Sequence, residues 1–433
     1  MPLPVAIIGA GPVGLAAAAE LVGRGLEPIV LESGRGAGAA VGSWGHVRVF
    51  SPWRYNVAPA ARVLLDRNGW SAPDPEGFPT GSELVARYLA PLAAVPELRD
   101  AIRTGHRVRA VSREGFDKLR SAGREAAPFL LDVQTPDGPR RLRARAVIDA
   151  SGTTGTPNPL GAGGTAATGE SDAADRIRYG IADVLGRERG RYAGRRVLVV
   201  GAGHSAFNVL IDLATLASEA PETAVTWLAR RPVAPTRYGG AADDALPARG
   251  ALGSRLRALV DADAIRQAVL GITAVRRDGA EIRVSDGRSE LGPFDEIVAV
   301  TGFRPDLAPL RELRVRLDEV LEAPVALAPL IDPNQHSCGT VPPHGAAELA
   351  HPEAGFYIAG MKSYGRAPTF LMLTGYEQVR SIVAALAGDE AAARSVRLVL
   401  PETGVCSGGP DASGGCCEPA RPIISVESLS LPR

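Results

Sequence analysis

Two short runs carry the most readable chemistry: Gly9-Ala10-Gly11-Pro12-Val13-Gly14 near the start and Gly201-Ala202-Gly203-His204-Ser205-Ala206 near the middle. Glycines at this spacing hold phosphates when they join a strand to a helix. Gly9 permits the tight turn, Gly11 lets the backbone approach a pyrophosphate, and Gly14 lets the following helix pack on the strand. The apolar run Val5-Ala6-Ile7-Ile8 supplies the strand and the Ala-rich stretch Leu15 to Leu21 the helix. A second strand, Pro28 to Leu31, ends at Glu32, about 20 residues beyond the glycines, where a carboxylate accepts hydrogen bonds from a ribose diol. Strand, turn, helix and acid in register argue for an adenine dinucleotide rather than a ligand-free glycine turn. The second run repeats the design, with Gly201, Gly203 and Ser205 in the turn and Ala206 at the third small position. Its next strand, Ala224 to Leu228, ends not in an acid but in Ala229-Arg230-Arg231. Guanidinium groups suit a 2′-phosphate, so NADPH is expected over NADH; a merely solvated Arg pair is the other reading.

Further reactive side chains cluster in two places. Trp44-Gly45-His46-Val47-Arg48-Val49-Phe50-Ser51-Pro52-Trp53 concentrates Trp, His and Phe in a chain that is 5% aromatic. It reads equally as a wall around a flat ring, such as an isoalloxazine, or as a subdomain core. His46 from this wall and His204 from the second turn are candidates for moving protons near neutral pH. The four cysteines, Cys338, Cys406, Cys416 and Cys417, fall late and include no Cys-x-x-Cys pair. They read as thiols rather than a disulfide framework. Cys416 and Cys417 are adjacent, Cys406 lies ten residues before, and soft thiolates select thiophilic ions. Cys338, between His336 and His344, is a candidate acceptor thiol near the reacting ring. Incidental cysteines in a tail and a small core residue at position 338 are the plainer alternatives.

The elements that must position these groups form an α/β chain. At 433 residues it exceeds one ordinary core, and 45% hydrophobic with 22% charged content is that of a globular enzyme. Zero formal net charge gives no general attraction to nucleic acid or an anionic membrane, so the expected partner is a small-molecule substrate. Of 48 basic residues only Lys118 and Lys362 are lysines. No apolar run reaches the roughly 18 residues of a membrane span, and the first strand begins too near Met1 for a signal peptide, which predicts a cytoplasmic protein. Pro79 to Leu84 opens a helix capped by Thr80 or Ser82. Phe129 to Val133 and Arg141 to Val147 read as a strand pair turned at Asp137-Gly138. The Thr-, Gly- and Pro-rich stretch Thr153 to Gly164 has linker composition, so a domain boundary is expected near there, and the strand Asp295 to Val300 runs into Thr301 to Asp306, where the chain is expected to return to the first domain. Gly355 to Gly360 gives a last strand, and Thr369 to Leu386 a helix whose start can face a ring. From Pro401 onward Gly, Ser and Pro read as a mobile tail.

Taken together, Gly9-x-Gly11-x-x-Gly14, Glu32, Trp44, Ala150-Ser151-Gly152, Gly201-x-Gly203-x-Ser205-Ala206 and Thr301-Gly302-Phe303 resemble the flavin-dependent monooxygenase and pyridine-nucleotide oxidoreductase superfamily. The resemblance covers roughly residues 3 to 390. It implies two Rossmann-like dinucleotide-binding domains, the NADPH domain inserted into the FAD domain, plus a flexible C-terminal tail. The expected division is 1–158 and 291–395 for FAD, 159–290 for NADPH, and 396–433 for the tail. The Gly-x-Gly-x-Ser-Ala form is like the monooxygenase branch. Three features depart from the branches. Tyr179-Gly180-Ile181 stands where a Phe-x-Gly-x-x-x-His pattern is expected, no flavin-side asparagine is matched near Ser51-Pro52, and Gly360 is followed by Met361-Lys362 rather than Asp. Asp332 to Thr340 is similar to a segment in flavoproteins encoded beside bacterial arsenic-resistance genes. The resemblance implies an FAD-dependent NADPH oxidoreductase, monooxygenase-like, acting on a small soft nucleophile or thiophilic metalloid, with Cys406, Cys416 and Cys417 as metalloid ligands. A reductase passing electrons to a bound acceptor and a redox-sensing binding flavoprotein are the alternatives.

Overall fold

The computed structural model describes residues 2–238, 247–335, 341–368 and 370–396. Its first sheet joins β1 (Val5–Ile8), β2 (Pro28–Leu31), β3 (Ile102–Arg103), β7 (Ala146–Asp149) and β16 (Phe356–Ile358) in the order β16-β7-β1-β2-β3. Every pairing is parallel. Parallel strands need crossovers and bury both faces, which explains the continuous apolar runs in β1, β2 and β7. Helix α1 (Pro12–Gly23) covers one face, and every residue of it from Val13 to Ala19 is buried. A three-stranded antiparallel meander of β4 (Arg107–Arg113), β5 (Phe129–Thr135) and β6 (Gly138–Ala144) covers the other, with Val111, Phe129 and Leu131 packed on Ala6, Val147 and Phe356.

The segment read from sequence as one strand, Arg141 to Val147, is two. The antiparallel β6 ends at Ala144, Arg145 N–H turns to the Pro4 carbonyl, and parallel β7 begins at Ala146. Continuous hydrophobic alternation hid a change of sheet.

The second domain repeats this plan. β8 (Ile177–Tyr179), β9 (Arg196–Val200), β10 (Ala224–Ala229), β11 (Arg266–Val269) and β15 (Glu296–Ala299) form a parallel sheet in the order β11-β10-β9-β15-β8. Helix α2 (His204–Glu219) covers one face. The meander β12 (Ala274–Asp278), β13 (Glu281–Ser285) and β14 (Glu290–Phe294) covers the other and again leads straight into a parallel strand.

The chain crosses between domains twice, and the two crossings are bonded to each other. Pro157 and Phe303 form an antiparallel bridge. Asn158 N–H donates to Gly302 O at 2.9 Å, and Arg304 N–H to Thr156 O at 3.0 Å. The Asn158 amide donates to Thr301 O at 3.1 Å, and the Thr301 hydroxyl returns a bond to Asn158 O at 2.6 Å. After β16 the chain enters α3 (Met372–Leu386), which starts after Leu371 and so later than the expected Thr369, a residue outside the described ones. Gly375 lets α3 pass close to α1, since a Cβ there would sit 2.5 Å from Val13 Cγ2.

Candidate functional site

Each glycine turn sits where its sheet's strand order reverses. β2 and β3 lie to one side of β1 and β7 to the other, and an added Cβ on Gly9 would lie 2.9 Å from Ala150 O, just beyond β7. Likewise a Cβ on Gly201 would lie 2.4 Å from Val300 O, just beyond β15. Such a reversal opens a crevice at the carboxyl edge of a parallel sheet. Gly14 is required by packing, because its Cβ would fall 2.0 Å from Gly9 O. Gly11 and Gly203 differ from these three: neither has any atom within 4 Å of an added Cβ. They face open space at the helix starts. Both are N-caps in extended conformation with no side-chain cap; Pro12 has no N–H and Ala206 N–H bonds Gly203 O at 2.9 Å, so the anion-binding character of these helix starts rests on Val13 and Gly14 in α1 and on Ser205 in α2.

Glu32 is buried at the end of β2, where Oε2 accepts from Ala10 N at 2.7 Å and Oε1 from Gly34 N at 2.6 Å. It fastens the glycine turn to the next loop, and each oxygen keeps a lone pair for a diol. The donors and space at the first turn therefore fit a dinucleotide diphosphate and its ribose. At the second, Arg230 and Arg231 follow β10 directly and are exposed, and the Arg230 guanidinium donates to Ala162 O at 3.0 Å.

The aromatic stretch divides. Trp53 is buried in the first-domain core and Trp44 packs against it, its ring 2.9 Å from where a Gly81 Cβ would be. Thr80 is the cap of the next helix, with Glu83 completing a capping box. Phe50 instead reaches the other domain, its ring centroid 5.7 Å from that of His204, which continues to Phe207 at 5.6 Å and Trp227 at 6.0 Å. Trp227 Nε1 donates to Gly201 O at 2.7 Å, so this aromatic series runs from the first domain to the second glycine turn. Both ring nitrogens of His46 are buried without a hydrogen-bond partner among the described residues. Burial raises the Asp183 carboxyl, but hydrogen bonds from Arg187 and the His46 charge outweigh it and hold it below the usual range. On α2, burial pushes Asp212 up to about 6, partly offset by Arg255 and reinforced by Asp183. Phe50 and His204 thus meet at a seam from opposite domains.

Gly360, at φ +70°, follows β16, and its Cβ would touch Val13 at 3.2 Å. Gln378 of α3 accepts from Gly360 N at 2.8 Å and donates to Ser363 Oγ at 3.0 Å, with His344 Nε2 also 3.0 Å from its amide nitrogen. Burial lowers the His344 pKa. Asn56, unmarked in the sequence, is fully buried. It accepts from Ser51 Oγ at 2.8 Å, and its backbone carbonyl takes the Tyr376 hydroxyl of α3 at 2.7 Å. This ties the aromatic loop to α3. Asp149 and Lys362, given no site role from the sequence, form a buried ion pair at 2.6 Å beside the first turn.

Cys338, Cys406, Cys416, Cys417 and the residues after Val396 lie outside the described residues. Among the described residues, no group of three or more His, Cys, Asp or Glu side chains could hold a metal ion, and no helix is long and apolar enough to cross a membrane.

Similar proteins agree with this architecture. Ferredoxin–NADP reductase of Salinispora arenicola (strain CNS-205) is 37% identical over 129 residues, 29% of this chain and 34% of that one. The chain thus spans about a third of the length of the curated relatives it matches. Bacillithiol disulfide reductase Bdr from Bacillus cereus superposes with a TM-score of 0.63 at 20% identity, covering 90% of this chain and 100% of that one. The flavin-containing monooxygenase from Stenotrophomonas maltophilia does so with a TM-score of 0.56 at 22% identity, over 90% and 99%. At these identities the two structures speak for the fold. The pattern defining one family matches residues 6–328, and the chain belongs to it: the pyridine nucleotide-disulphide oxidoreductase family, enzymes that use FAD and NADP(H).

Proposed function

We propose that residues 1–158 and 291–395 hold FAD, that residues 159–290 hold NADPH, and that a small soft nucleophile is oxidised at the seam between them in a monooxygenase-like reaction. The observation carrying this reading is the contact of Phe50 from one domain with His204 at the second glycine turn of the other, together with the open space for a diphosphate at Gly11 and Gly203. Bound FAD supplies the two-electron chemistry, taking hydride from reduced nicotinamide and returning electrons to an acceptor. The chain does the rest. Amides at the start of α1 hold the pyrophosphate, Glu32 the ribose, Arg230 and Arg231 the 2′-phosphate, and Phe50 screens the seam from water. An imidazole with two free nitrogens at His46 is suited to giving or taking a proton from a polar substrate.

The absence of Cys-x-x-Cys from the sequence argues against a redox-disulfide relay of the thioredoxin-reductase kind. A second reading keeps the same cradles but sends electrons to a thiol-bound metalloid without oxygen insertion, and the adjacent Cys416 and Cys417 favour it. The deciding experiment follows NADPH and oxygen together, with sulfides, amines and arsenite as candidate substrates. Matched consumption with an oxygen atom from O2 in the product supports monooxygenation. Product formed equally without oxygen, and lost when Cys416 and Cys417 become Ser, replaces it with the second reading.

A further inference from the structure

Lys362 is a buried cation in a chain whose other buried cations among the described residues are arginines, and it is one of only two lysines among 48 basic residues. Its side chain and that of Asp149 are each 2% exposed. The ammonium donates to Asp149 Oδ2 at 2.6 Å and to Ser151 Oγ at 3.1 Å. Asp149 Oδ1 accepts from Ser151 Oγ at 2.6 Å and Ser151 N at 3.1 Å. A compact point charge fits between the carboxylate and the hydroxyl, where a planar guanidinium needs more room.

The cluster borders the first glycine turn on two sides. Ser151 Cα lies 3.0 Å from where a Gly9 Cβ would be, and Gly360, two residues before Lys362, packs on Val13 in the first turn of α1. Asp149 closes β7, the strand beside β1. A buried carboxylate thus ends the strand beside the first glycine turn, at the register position of Ile8, and Glu32 bonds the same turn through Ala10 N. Two anionic groups in a poorly screened site repel an anionic ligand, unless one is neutralised.

We propose that Lys362 is a positioning residue for FAD: it neutralises Asp149, so that the carboxylate can fix Ser151 against Gly9 without repelling the diphosphate. The pair gives Asp149 its structural use at no electrostatic cost to the ligand. Removing the ammonium alone exposes the cradle to an unpaired negative charge, whereas removing the carboxylate charge alone does not.

The proposal rests on the first turn being the FAD cradle, and fluorescence titration of the full-length apoprotein with FAD tests the two separately. Gly11→Val checks the cradle, and FAD binding at wild-type strength in that variant would refute the assignment of the turn. Lys362→Met should weaken FAD binding on the order of tenfold or more. Asp149→Asn should bind FAD as tightly as the wild type or more tightly, and the double variant Lys362→Met with Asp149→Asn should return to within about threefold of wild type. A staple that only holds the fold gives a different pattern, in which Asp149→Asn weakens FAD as much as Lys362→Met and the double variant rescues nothing. That pattern, with Gly11→Val having lost FAD, overturns the proposal and leaves the cradle in place. If Lys362→Met fails to fold, Asp149→Asn and the double variant still decide, because weakened binding in both is incompatible with relief of a negative charge.

Discussion

Gly11 and Gly14 are three residues apart and should fail in opposite ways. At Gly14 an added methyl would stand 2.0 Å from Gly9 O, so α1 must retreat from the turn by about 1 Å. Nearly the whole inner side of α1 is buried, and overpacking at such a site costs about 1–3 kcal/mol. Gly14→Ala should therefore lower the urea midpoint of the apoprotein. Gly11 has φ −78° and ψ −175°, a conformation open to any residue, and nothing within 4 Å of its Cβ position. Gly11→Val should leave apoprotein stability within about 0.5 kcal/mol of wild type. It should nonetheless fill the space where the diphosphate meets the first-turn amides. Each such charge-assisted hydrogen bond is worth about 1.5–3 kcal/mol. Losing two corresponds to at least ~100-fold weaker binding, at about 1.4 kcal/mol per tenfold. Urea unfolding of the apoproteins and FAD titration of both variants make the comparison. FAD bound normally by Gly11→Val, or unchanged apoprotein stability in Gly14→Ala, would refute the division of roles.

Three further outcomes are expected. Arg113 and Arg124 both bond the buried Glu353 carboxylate at 2.8 Å, so Glu353→Gln should cost about 3–5 kcal/mol, read as a lower urea midpoint at unchanged slope. Burial pushes the His351 pKa down to about 4, so below about pH 6.5 the unfolded chain takes up a proton that the fold refuses. Stability should decline from there towards pH 4, by up to about 3 kcal/mol from this residue, with His344 acting in the same direction; in His351→Gln the decline across that window should be shallower. Replacing Arg230 and Arg231 by Ala should reduce the kcat/KM preference for NADPH over NADH by ~10-fold or more, from the loss of a phosphate contact worth about 1.5–3 kcal/mol.

What could be read from the sequence was what is encoded locally. Gly9, Gly11, Gly14 and Glu32 lie within one strand–helix–strand unit, so their spacing alone implies the turn that the fold contains. The same holds for Thr80 and its partner Glu83, three residues on. The seam was legible only as separate pieces: Phe50 and His204 each stand out by type, but their contact depends on how the domains meet. Lys362 and Asp149 are 213 positions apart, and Lys362 registers in the sequence only as a rare lysine and within the departure after Gly360. Asn56 gave no signal in the sequence because its bonds to Ser51 and from Tyr376 depend on how the aromatic loop folds back and meets α3. At Arg145 an unbroken apolar rhythm continues while the chain changes from an antiparallel meander to a parallel sheet, and periodicity carries no information about which neighbour a strand will choose.

The two crossing segments, laced together from Thr156 to Arg304, set the kinematics of the molecule. A pair of separate tethers permits swinging, sliding and twisting alike. Bonded side by side, they behave as a single ribbon, which twists about its length far more readily than it shears or splits. Any reorientation of the second domain relative to the first is thereby favoured as a rotation about the line of the ribbon over a parting of the two tethers.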